Sequence, residues 1–282
     1  MSVVYKCIEL PGKEFTSKHA MFKAIKAKKN EIIGLKKAQV KHSDSLRFVA
    51  VHGVDAEKGI NVPDGHVMAV INTTKYMDSH NDVHLNGIWS KSVEDQQGKI
   101  YFIADHDLSV KSVIAFPNDV DMMVKSIDWK DLGADFPGTT QALIFKVRKE
   151  DIVLDAAKHI IEEKLPIEHS VRMQYVTIKF AVNSDSPDFA EEKKEWDHTI
   201  ELVANKDIAI ENGYYWTVSE AKIFKEGSMV LAGSNDVTPM LLSSKNIAEP
   251  SDDTLHAEPS ADTQEPPKPK SSELDYITQN LY

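Results

Sequence analysis

The chain has 282 residues, 41% of them hydrophobic, enough to bury a sizeable core in one large domain or two small ones. Its 44 acidic residues against 33 Lys and Arg give a formal net charge of -11, which disfavours a duplex-binding protein because phosphate contacts need clustered cations. The single Cys7 excludes a disulfide framework and a thiolate metal site, and no run of roughly 18 apolar residues offers a membrane span.

The opening MSVVYKCIELPGKEF carries no charged-then-apolar leader, so a cytosolic location is expected. Residues 1–44 form an expected N-terminal strand and helix segment. Within it TSKHAMFKAIKAKKN places Met21, Phe22 and Ile25 on one helical face and lysines on the other. Residues 45–243 then alternate short strand-like runs with turns. The strand candidates are SLRFVAV, HVMAVINTT, KIYFIADH, TQALIFKVR, IEHSVRMQYVTIKF running on into VTIKFAVNS, HTIELVANKDIAI and AKIFKEGSMVLAG. DLSVKSVI fits a strand or a short helix, and VLDAAKHIIEEKL reads as an amphipathic helix with Ala156, Ile160 and Ile161 inward. An α+β fold follows, mainly antiparallel β, with an open or closed barrel and a few surrounding helices.

Composition changes after Ser244. From there to Tyr282 eight acidic residues stand against three lysines, with five prolines and no Phe or Trp. Residues 244–270 therefore read as a disordered acidic, Pro-rich linker. Beyond it SSELDYITQNLY sets Leu274, Ile277 and Leu281 at helical spacing behind Ser271 and Ser272, a candidate terminal docking helix over 271–282.

Three clusters carry chemistry. In MDSHNDVHLNG, His80 and His84 with Asp78 and Asp82 are donor types a metal accepts, and His106 in IADHD could complete a zinc hydrolase site. The Asn, Asp and Gly of that stretch favour a turn, which argues against a shared helical face and for no metal. His106 itself ends an apolar strand, where side chains leave the core. The strand containing Ser170 interrupts its apolar pattern with His169, Ser170 and Arg172, and the third cluster, KEGSMVLAGSNDVTP, brings Glu226.

In order and context these pieces resemble the prohead maturation proteases of tailed bacteriophages, which are related in fold to the herpesvirus assemblins. That family has a D-S-x-x-D-V-x-x-x-G strand, a strand ending in His, a Ser flanked by hydrophobic residues, and a strand of the type E-G/V-S-hydrophobic-V. Here they are DSHNDVHLNG at 78–87, ADHD at 104–107, EHSVRMQY at 168–175 and the KEGSMV run from 225, so the likeness spans roughly 66–240. Gly233, Ser234 and Asp236 depart from the family's A-N-P ending, and Arg172 stands where many relatives have Gly.

The resemblance implies a herpesvirus-protease-like β-barrel and a serine endopeptidase with Ser170 as nucleophile, His106 as base and Glu226 as the acidic third member. Glu220 is the alternative acid, and Arg172 a candidate oxyanion or site support. His169, as Ser170's strand neighbour, points to the other face and is not the base. The substrates implied are phage scaffold and major capsid proteins and the chain itself, cut within 244–270, inside a viral prohead assembled in the host cytoplasm. A homodimer is an expected partner; no nucleic acid, no membrane and no cofactor is expected. The second function class is an inactive scaffold or assembly factor of the prohead.

Overall fold

The computed structural model describes residues 3–38, 54–55, 61–231, 233, 235 and 237–242. The strand expected at SLRFVAV, the linker and the terminal helix lie outside the described residues. In chain order the helices are α1 (Lys18–Ala27), α2 (Lys29–Ala38), α3 (Ser90–Gln96), α4 (Asp155–Glu162), α5 (Ala190–Thr199) and α6 (Lys206–Asn212). The strands are β1 (Val54–Asp55), β2 (His66–Thr73), β3 (Asp82–His84), β4 (Tyr101–Ala104), β5 (Val113–Ala115), β6 (Asp121–Asp128), β7 (Thr139–Arg148), β8 (Glu168–Val182), β9 (Tyr214–Val230) and β10 (Met240–Leu242).

The class is mixed α+β with mainly antiparallel strands, but the expected barrel does not close among the described residues. Two open sheets take its place, one ordered β1-β10-β2-β7-β6 and one built on β9. β9 pairs antiparallel with β8 along nearly its whole length, while its other edge takes β3 near one end and β4 near the other, both parallel. β5 extends the sheet beyond β4.

Val67, Ala69 and Ile71 of β2 and Leu143, Phe145 and Val147 of β7 share a core with Phe102 of β4, Val171 of β8 and Met229 of β9. The opposite face of β2 and β7, with Met68, Val70 and Ile144, packs on Trp129 and Leu132. Burial on both faces explains why these strands read as continuous apolar runs rather than as alternation. The sheets approach so closely at Gly227 that a Cβ there would lie 2.5 Å from the Phe145 ring, so the glycine of EGS is demanded by packing.

Ser17 caps α1 by accepting from the Ala20 N–H, and Met21, Phe22 and Ile25 enter the main core as their spacing predicts. Two expectations need correction. HTIELVANKDIAI is not a strand: α5 ends at Thr199 and α6 begins at Lys206, with Trp196, Ile200 and Val203 buried at the spacing of a helical face. In α4 Ile161 is buried and Ile160 packs half-buried against the core as expected, but Ala157, not Ala156, is the inward alanine. DLSVKSVI is both of its alternatives in turn, a 3₁₀ turn over Val110–Ser112 leading into β5.

Candidate active site

The site sits where β4, β9 and β8 lie side by side. Gly227 faces the inter-sheet core, so Glu226 and Ser228 point to the other face of the sheet. Ser170 is directly opposite Ser228 in the β8/β9 register, which puts it on that same face with Cβ atoms about 5 Å apart. β4 ends at Ala104, and the chain turns sharply: the Asp105 N–H donates to the Met229 carbonyl and the Asp107 N–H to the Ala104 carbonyl. Asp105 and His106 both take left-handed backbone conformations, with φ of 53° and 55°.

That turn brings the His106 ring over β9. Its Nδ1 lies 2.7 Å from Glu226 Oε1, and the carboxylate is wholly buried. A carboxylate only accepts, so Nδ1 carries the proton and Nε2 the lone pair of the neutral ring. The backbone of His106 is held as well, its N–H donating to Ser228 Oγ at 2.9 Å and its carbonyl accepting from Arg172 Nη2 at 2.7 Å. Arg172 Nε stands 3.2 Å from Glu226 Oε1, so the guanidinium braces both members of the His–Glu pair. Its positive charge offsets the carboxylate that would otherwise be buried with the imidazole alone.

His106 and Glu226 are therefore paired at one end of β9, Ser170 lies on the same sheet face opposite Ser228, and Glu220 is elsewhere. Glu220 pairs with Thr177 across β8 and lies 3.7 Å from Lys91 Nζ. Register shifts at Val171/Met173 and Tyr175/Thr177 break the simple period that made it a rival to Glu226. His169 faces the core: its Nδ1 is 2.7 Å from the Thr238 carbonyl oxygen, Phe102 packs beside it, and burial pushes its pKa down to about 4. At neutral pH it is an uncharged core residue.

The His80/His84 cluster has a different shape. Asp78 Oδ1 accepts from the N–H groups of His80 and Asp82, forming the turn that the Asn, Asp and Gly content indicates. His84 Nδ1 lies 3.0 Å from Asn72 Oδ1 and Nε2 3.0 Å from the Tyr175 hydroxyl, which donates to Asp82. Lys36 reaches Asp82 at 2.5 Å. Among the described residues no three His, Cys, Asp or Glu side chains form a group that could hold a metal.

Sequence reasoning missed Ser228, Lys36, Tyr175 and the buried Asn235. Asn235 exchanges hydrogen bonds with Thr73 through side chain and backbone and anchors the segment after β9 onto β2. The signal for Ser228 was present as a polar residue in the final run of β9, residues 226–230, which is buried at every position.

Two clefts, of about 510 Å³ between α2, α5 and β8 and about 330 Å³ beside Lys36 and His80, include none of Ser170, His106 and Glu226. No model of a known protein family, no curated protein and no solved structure matches the chain.

Proposed function

We propose that the protein is a serine endopeptidase of the prohead-maturation type, acting through Ser170, His106 and Glu226. Ser170 Oγ attacks the scissile carbonyl as its proton passes to His106 Nε2; His106 then protonates the leaving amine, and water releases the acyl group by the reverse sequence. Glu226 keeps the ring in the tautomer with Nε2 unprotonated and stabilises the imidazolium that forms. The observation that carries this reading is the 2.7 Å contact of a wholly buried carboxylate with His106 Nδ1, on the sheet face that also bears Ser170.

Kinship with the phage prohead proteases and, through them, with the herpesvirus-protease-like fold belongs to the same proposal, in an open-sheeted form. So do its implied substrates, scaffold and major capsid proteins, its site of action inside the prohead, and self-cleavage within 244–270. That stretch, being acidic, Pro-rich and tethered to the enzyme, is a ready intramolecular substrate.

The test is labelling by a fluorophosphonate together with mass spectrometry of products when wild type and Ser170→Ala are each co-expressed with capsid and scaffold proteins. Labelling at Ser170, and processing seen only with wild type, supports the proposal. Identical processing by Ser170→Ala overturns it and leaves the assembly-factor reading.

A further inference from the structure

Left-handed backbone is disfavoured for residues that carry a side chain, and two such residues in succession need something outside the turn to hold them. At Asp105 and His106 the holding groups are on neighbouring strands. Ser228 Oγ accepts the His106 N–H at 2.9 Å, and Arg172 Nη2 donates to its carbonyl at 2.7 Å. Ser228 has no exposed surface, so its hydroxyl is placed by the strand and not by solvent. Glu226, two residues before it on the same face, takes the ring. One short stretch of β9 thus grips both the backbone and the imidazole of a single residue.

We propose that Ser228 is a positioning residue: its hydroxyl holds the Asp105–His106 turn in its left-handed form and so aims the imidazole at Ser170. The proposal rests on the serine-endopeptidase reading. A hydroxyl in this role is separable from one that merely fills space, because the role is conformational. Removing it releases the turn, and making the left-handed conformation easy by other means restores the aim. Asp105 is exposed and lies outside the catalytic groups, so Asp105→Gly supplies that second route: glycine adopts positive φ without steric cost.

The experiment uses the full-length chain and a fluorophosphonate probe. Ser228→Ala is expected to label about 10- to 100-fold more slowly than wild type, as loss of a residue that orients a site group typically does. Its effect on a peptide substrate falls on kcat with KM unchanged, and Asp105→Gly in the same chain recovers about tenfold. Labelling of Ser228→Ala at the wild-type rate, or a deficit that Asp105→Gly leaves untouched, overturns the proposal. A wild-type chain that does not label sinks the endopeptidase reading by itself. Proton NMR of the His106 Nδ1–H then decides Ser228: the signal is expected to be sharp in wild type and broadened in Ser228→Ala, and identical signals overturn the positioning role.

Discussion

Two polar clusters lie along β8 and β9, built from the same residue types and put to different ends. Toward the start of β9, Lys36, Asp82, Tyr175, His84 and Asn72 form an unbroken buried chain in which Asp82 takes both Lys36 and the Tyr175 hydroxyl. Each His84 nitrogen faces a protein group, and its ring packs edge-on against Trp89 and Tyr175. At the other end, His106 gives Nδ1 to Glu226 and sits on a turn beyond its strand, next to a serine-bearing neighbour. A carboxylate and a histidine in a core make a structural tie when both ring nitrogens are committed inward. At the other end the buried carboxylate meets a ring carried on a turn beyond β4, the arrangement in which the endopeptidase proposal places its base.

The sharpest separation of the two clusters comes from single substitutions. Ser170→Ala and His106→Ala should each lower turnover by about 10⁴-fold or more, with the double variant little worse than either, because the groups act as one unit. Peptide hydrolysis assays check this, while urea denaturation of the same variants stays near wild type. In the other cluster the pattern inverts. Asp82→Ala leaves the Lys36 ammonium buried without its carboxylate and should cost about 3–5 kcal/mol in unfolding free energy, with kcat per folded molecule unchanged.

Glu226→Gln tests the boundary between them. Losing the third member of a triad costs less than losing nucleophile or base, and a drop of about 10⁴-fold in kcat is expected. A loss of stability without a loss of kcat would place Glu226 with Asp82 instead.

The smallest effect belongs to His169, next to Ser170 but on the core face. Its folded pKa of about 4 lies below the unfolded value of 6.5, so the unfolded chain binds the proton first and stability falls as pH drops from about 6.5 toward 4. By pH 5.5 the loss is about 1 kcal/mol relative to neutral pH. His169→Gln, which keeps a donor for the Thr238 carbonyl, should flatten that part of the stability profile, measured by denaturation at a series of pH values.

Much of this arrangement was legible in the chain because it depends on local pattern. The face of α1 and the apolar run of β4 that stops just short of His106 follow from periodicity, while Ser170 and Glu226 were singled out by the resemblance to a family's motif order. What depended on pairing was not. Sheet closure is decided by edges and register, so the barrel expectation failed even where strands were found, and β6 and β10 were not among the strand candidates. Glu220 looked equivalent to Glu226 because a period of two was counted through a strand pair whose register is interrupted. HTIELVANKDIAI is rich in β-branched residues, and only its wider frame, back to Trp196, shows the helical spacing that wins. Lys36 is a lysine among lysines in the sequence; its burial is set by Asp82, 46 positions away.

The length of β9 has a consequence in time. Tyr214, at its start, and Trp216 donate to Glu9 across 205 and 207 positions of chain, and Glu226 and Ser228, at its far end, complete the site around His106. On the ribosome, where residues emerge at roughly 5–20 per second, the N-terminal arm and the Ser170 strand both wait for this one segment. Until it arrives the serine strand has no hydrogen-bonded strand partner among the described residues and His106 no Glu226 carboxylate. On the endopeptidase proposal, synthesis itself keeps the nascent chain inert until the last long strand is made.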